Sequence, residues 1–259
     1  MKSLVGDVSG EPLRFRIRRT FLRRVHAHST PPHWLPDATD VFCHGKDTQP
    51  PVLFETPHFY AVPDKFPITP GHILLIPKHH LPCWAALSPS MYGEFKEAQN
   101  VLKTFIRSVY SKEPMLWENG GAWQSVHHAH LHFIPMPSSV RKLPPPYVAT
   151  PVRSWRDVRR CFFSGEYYQY AEYRGDKRVF PAGSPDLYSL SLLKVKALKI
   201  SIAANGKSWV RTTSPTDIAE TLSRWKAWSH EHGLPKGFSQ GTPSPVSLTH
   251  TMRITEPML

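Results

Sequence analysis

The chain has 259 residues, 40% of them hydrophobic, enough to bury one core domain with extensions. Lys and Arg number 32 against 20 Asp and Glu, a formal net charge of +12 that favours anionic partners such as phosphates or nucleic acid. Cys43, Cys83 and Cys161 are scattered and odd in number, unlike a secreted disulfide framework, and no apolar run reaches the roughly 18 residues of a membrane span, so an intracellular protein with no membrane partner is expected, cytoplasmic ahead of mitochondrial or nuclear.

Residues 1–37 read as a basic N-terminal arm. Leu13 to Arg24 interleaves arginine with apolar residues, as organelle-targeting segments do, whereas Asp7 and Glu11 fit a solvated arm or an added edge strand; the two readings stay open. The 27 prolines cluster and mark linkers and strand ends. Val52 to Glu55 and Phe59 to Val62 are short β-type runs, Thr69-Pro70-Gly71 is a turn, and His72 to Pro77 is an apolar run suited to a strand buried on both faces.

A helix follows, with Ser88 as cap, Pro89 at its first position, and Tyr92, Phe95, Ala98, Leu102, Phe105 and Val109 at helical spacing. Met115 to Glu118 reads as a strand, Asn119-Gly120-Gly121 as a turn, and the stretch around His128, His130 and His132 as the next strand. Strand, strand, helix, strand, strand predicts an α+β domain with a mainly antiparallel sheet, over residues 38–150. The extension, residues 151–235, carries a hairpin of Glu166–Tyr173 and Lys177–Phe180 around Arg174-Gly175-Asp176, a helix within Asp186–Gly206, and another opened by Ser214 with Ile218, Leu222 and Trp225 on one face and Gly233 beyond its end. Residues 236–259 are expected to be a flexible polar tail.

On a strand, residues two apart share a face, so His128, His130 and His132 form one row and His127, Ala129 and Leu131 point the other way. Such a row can ligate zinc, or one imidazole can attack phosphorus while its other nitrogen is held by a hydrogen bond. A lone strand histidine is usually structural, but three in register are not well explained that way.

His128-Ala129-His130-Leu131-His132-Phe133-Ile134 resembles the His-φ-His-φ-His-φ-φ signature of the histidine triad (HIT) nucleotide hydrolases and transferases, and Gln124-Ser125-Val126 is similar to the segment before it. Phe59 to Asp64 and Pro70 to His80 resemble that family's first strands. The resemblance implies a HIT-like meander sheet packed by one long helix, in a longer form with a C-terminal extension.

It also implies an enzyme that cleaves at the α-phosphate of a dinucleoside polyphosphate or nucleoside phosphoramidate through a covalent nucleotidyl-histidine. His130 is then the nucleophile, and His128 orients it by backbone carbonyl or side chain. His132 and His72 contact the phosphate and assist the leaving group, Gln124, Ser125 and Asn119 donate to phosphate oxygens, and Asp64 accepts the ribose hydroxyls. No metal or other cofactor is required for that chemistry. Cys43 stands alone, with Asp40 where the family's longer forms carry a first cysteine, so no metal site is expected, Asp40, Cys43 and His44 being at most a degraded one. The family implies a homodimer through the long helix and neighbouring strand. The alternative is a non-hydrolytic, RNA-processing-associated HIT-like module, with RNA as a secondary partner; the intact triad ranks it below catalysis.

Overall fold

The computed structural model describes residues 40–43, 51–120, 124, 126–142, 150–163, 168–181 and 213–241. Among the described residues nine strands form one sheet: β1 (Phe54–Glu55), β2 (Phe59–Pro63), β3 (Ile73–Pro77), β4 (Glu113–Gly120), β5 (Leu131–Met136), β6 (Thr150–Pro151), β7 (Tyr168–Tyr173), β8 (Asp176–Pro181) and β9 (Ser239–Gln240). Their order is β6-β8-β7-β4-β5-β3-β2-β1-β9, and each neighbouring pair is antiparallel. Three α-helices accompany it among the described residues: α1 (Tyr92–Tyr110), α2 (Trp155–Phe163) and α3 (Pro215–His232). This is the expected α+β arrangement, and none of the described helices is long and apolar enough to cross a membrane.

The unbroken apolar run of β3 follows from burial on both faces. Ile73 and Leu75 pack with the helices, whereas Leu74 and Ile76 pack on the other face with Phe42, Tyr60 and Val62. Helix α1 buries Phe95, Ala98, Leu102 and Phe105 against the sheet. A short 3₁₀ turn at Pro89–Met91 leads into it, and Ser88 makes no side-chain cap there. The last helix is tied down at two points: Trp225 Nε1 donates to the Leu53 carbonyl at 2.8 Å and Thr221 Oγ1 accepts from Gly71 N at 3.0 Å. Gly71 itself sits at φ +83°, where a Cβ would also meet the Tyr110 ring at 2.6 Å.

Three further sequence expectations are corrected, and one helix was not anticipated. Asn119 and Gly120 extend β4 rather than forming a turn, because β7 pairs along that end as Asn119↔Gln169 and Gly120↔Tyr168. β5 starts at Leu131, so His128 and His130 precede the strand that was to carry them. The stretch after the proline-rich connector contains α2, an arginine-rich helix that the proline signals hid. Past position 236, Ser239 and Gln240 pair with β1, so the chain stays in the sheet beyond the expected start of the tail. The hairpin forms as read, its loop residues Arg174 and Gly175 both at positive φ, 50° and 82°, which matches strand twist in two-residue loops. The arm at 1–37 and the helix expected within 186–206 lie outside the described residues.

β4 is thus paired on both edges inside one chain, by β5 and by β7. A homodimer joined at that strand would have to displace β7. The two sheet ends are the two-residue strands β6 and β9, short enough to offer little template for further pairing.

Glu118 lies fully buried on the helix side of β4, where it accepts from Trp84 N at 2.7 Å and from the Tyr168 hydroxyl at 2.8 Å. Burial pushes its carboxyl up to about 8, against the pull of those two donors. An unfolded chain releases this proton near the ordinary carboxyl value, so the folded state is favoured at low pH and that contribution is lost as pH climbs towards the raised value. Wild-type stability from urea midpoints is expected to fall by about 2 kcal/mol between about pH 6 and pH 8 through this group, and Glu118→Gln to flatten the slope. An unchanged slope in the variant would assign the pH dependence elsewhere.

Candidate active site

The sheet face opposite the helices carries the histidines. Trp117 pairs with His132 and Leu74 with His132, so β4 and β3 flank it on that face. His130 and His132 have ring centroids 5.1 Å apart, and Phe42 packs at 5.4 Å from His130 and 5.8 Å from His128. His127 is exposed.

His130 is 5% exposed, and its Nδ1 lies 2.7 Å from the carbonyl oxygen of His128. A carbonyl only accepts, so Nδ1 carries the proton and Nε2 of the neutral ring keeps its lone pair. Burial, then the neighbouring His132, pushes the imidazole down to about 3, so the ring is neutral across the physiological range. The group of His128 that faces His130 is therefore its carbonyl, whereas its side chain turns away into the protein.

His72, Asp64 and His132 form a second set. His72 Nδ1 accepts from Ile68 N at 3.2 Å, which leaves its Nε2 as the protonated nitrogen. That atom lies 3.0 Å from His132 Nδ1 and 3.3 Å from Asp64 Oδ2, and His132 Nδ1 lies 3.4 Å from the same oxygen. The other oxygen of Asp64 accepts from Phe66 N at 2.8 Å. Burial works against ionisation of Asp64, but His72 and His132 outweigh it and hold the carboxyl below the usual range. Asp64, expected at the ribose, thus sits against the two histidines expected at the leaving group.

Gln124 is 6% exposed, and both polar atoms of its amide are buried without a hydrogen-bond partner among the described residues. An unmatched buried amide costs on the order of 1–3 kcal/mol, a cost that a bound polar ligand relieves. Ser125 lies outside the described residues. Asn119 projects from β4 on the histidine face, two residues beyond Trp117.

The side chain of His128 belongs to a third set. Its Nε2 lies 2.8 Å from the Pro77 carbonyl and so carries a proton, and its Nδ1 lies 2.9 Å from Asp40 Oδ2. His80 Nδ1 is 2.9 Å from the same oxygen, and Cys43 Sγ lies 3.5 Å from His128 Nδ1 and 3.6 Å from His80 Nδ1. All four donor atoms lie within 4.8 Å of one another. His128 and His80 both bring a ring nitrogen to Asp40, either as an ion pair with the ring protonated or as two lone pairs that share a cation with the carboxylate; burial and Asp40 push the Cys43 thiol up to about 12. One sulfur, two nitrogens and one oxygen, with a ligand histidine donating its other N–H to a backbone carbonyl, are the donors and support of a tetrahedral zinc site. The sequence had Asp40 and Cys43 in view, but His80 and His128 were hidden by their separation along the chain; His44 lies outside the described residues. The three triad histidines do not converge as one ligand set, since His128 joins this group and His132 the Asp64 group.

The HIT domain family model matches residues 46–138. The chain carries a HIT domain. Zinc finger CCCH domain-containing protein 64 of Arabidopsis thaliana is 30% identical over 133 residues, 49% of this chain and 22% of that protein. This chain therefore spans about a fifth of that relative's length. An uncharacterized HIT-like protein of Chlamydia muridarum is 29% identical over 85 residues, 32% of this chain and 68% of its own. Among solved structures, a HIT family protein from Bacillus anthracis superposes with a TM-score of 0.38 at 25% identity, covering 43% of this chain and 85% of that one. A zinc-bound histidine triad family protein from Mycobacterium smegmatis superposes at 0.36 with 26% identity, covering 49% and 94%. The HIT domain stops short of β7, so the extension lies outside it while sharing its sheet.

Proposed function

We propose that the chain cleaves or transfers a nucleoside monophosphate from a dinucleoside polyphosphate or nucleoside phosphoramidate, through a covalent nucleotidyl-histidine on His130. The observation that carries this is the hydrogen bond of 2.7 Å from His130 Nδ1 to the His128 carbonyl, which leaves a neutral buried ring with Nε2 as the nucleophile. In the first step Nε2 forms a bond to the α-phosphorus as the bond from phosphorus to the leaving group breaks. The paired rings of His72 and His132 beside ionised Asp64 supply a proton to the departing atom. The amides of Gln124 and Asn119, with Ser125, donate to the phosphate oxygens. Water, or another acceptor nucleophile, then bonds to phosphorus as the bond from phosphorus to His130 Nε2 breaks, and gives its proton back to the His72 and His132 pair.

A carboxylate has about four lone-pair sites, so Asp64 can serve the histidines and still accept a ribose hydroxyl. This chemistry requires no metal, because a neutral imidazole is itself the nucleophile. The test is intact-mass spectrometry of the chain mixed with a panel of these substrates. A nucleoside monophosphate adduct is expected on wild type, and His130→Asn should abolish it and lower turnover by at least about a thousandfold with folding retained. Turnover preserved in the variant would sink the reading.

A structural zinc ion at Asp40, Cys43, His80 and His128 is a second part of the proposal, supported by the convergence of their four ligand-type atoms within 4.8 Å. It would hold His128, whose carbonyl holds His130, without touching substrate. About one zinc per chain is expected by elemental analysis after purification without added metal. Cys43→Ser should lower that ratio and reduce the melting temperature by several degrees. A metal-free wild-type protein of unchanged stability on zinc addition would refute it.

A further inference from the structure

We propose that Gln169, contributed by the C-terminal extension, is a positioning residue that sets which end of the Asn119 amide faces the phosphate. The inference rests on the nucleotide site proposed above. Asn119 Oδ1 receives two hydrogen bonds, from Trp117 Nε1 at 3.1 Å and from Gln169 Nε2 at 3.0 Å. An indole N–H can only donate, so the atom it meets must be the amide oxygen and not the nitrogen. The second bond completes the assignment: with Oδ1 engaged from β7, the two N–H donors of Asn119 are turned to the other side of β4, where β5 and the histidines lie.

Without these partners an asparagine amide rotates freely and presents its oxygen to an anion as readily as its nitrogen. Oxygen against phosphate is repulsive, whereas N–H donors are attractive. Gln169 is suited to the task because it is itself held, 2% exposed, on β7 opposite Asn119 in the register Asn119↔Gln169. Its other neighbour on the sheet is Phe180 of β8, and Trp117 has the small Ala171 opposite it, which leaves room for the indole to turn its N–H towards Asn119. The lock therefore depends on the hairpin beyond the HIT domain, 31 residues past the last matched position at 138.

The experiment is a double-mutant cycle on the full chain, with AMP binding by calorimetry as one readout and the rate of His130 adduct formation as the other. Gln169→Met keeps volume and charge while removing the donor. AMP affinity should drop about fivefold to tenfold in Gln169→Met and by a similar factor in Asn119→Ala, with the double variant within about twofold of Asn119→Ala alone. The adduct rate should follow the same pattern, with thermal stability of Gln169→Met close to wild type. Unchanged affinity in Gln169→Met overturns the proposal, and so does an effect that multiplies with Asn119→Ala. If wild type binds AMP and the cycle closes as expected but no adduct forms, the positioning role stands and the covalent reading falls. If wild type does not bind AMP but forms the His130 adduct at a rate that Gln169→Met leaves unchanged, the positioning role falls and the covalent reading stands; if it neither binds AMP nor forms an adduct, both fall.

Discussion

A single hydrogen bond, from His130 Nδ1 to the carbonyl of His128, decides what the histidine face can do. It selects the tautomer, aims the remaining lone pair outwards from the backbone, and works together with burial to keep the ring uncharged. The bond is only as rigid as the carbonyl, and the carbonyl is fixed because the side chain of its own residue is fully buried between Asp40 and the end of β3. The segment from Val126 to His130 is irregular, so the strand ladder does not hold it; the His128 anchor and the bond from Ala129 N to the Leu81 carbonyl do.

The rest of the sheet can be understood as support for that short segment. On one face α1 and α3 close the apolar core, and on the other two smaller apolar clusters flank the histidines, one around Leu74 and Ile76 and one around Met115, Trp117 and Ile134. Buried polar groups lie between them, and most are paired with one another or with the backbone. Gln124 differs from them in that both its amide atoms are buried without a partner among the described residues.

Much of this was legible in the sequence, for reasons that are local. Helical spacing located α1 and α3, and the Arg174-Gly175 pair located the hairpin, because periodicity and turn chemistry act over a few residues. The triad was legible as a pattern, but its assumed strand geometry was not, since nothing local says that the ladder stops at Leu131 and lets His128 rotate inwards. His80 and Gln169 were invisible for a related reason. Each meets a partner 40 or 50 residues away, Gln169 through the register of β7 on β4 and His80 through the folding of the irregular segments around Asp40 and the end of β3. Asn119 was misread as a turn former because Asn-Gly favours turns, and pairing with β7 overrode that preference.

The doubly paired β4 has a consequence for how this protein can be divided. Similarity marks out residues 46–138 as a unit, yet that excerpt omits Asp40 and Cys43 at one end and β7 at the other. Cut out along those lines, it would present a long, apolar strand edge to its neighbours, the geometry from which intermolecular sheets grow. The boundary of shared ancestry and the boundary of independent folding are therefore different places in this chain, and insertions or fusions are best designed around the second.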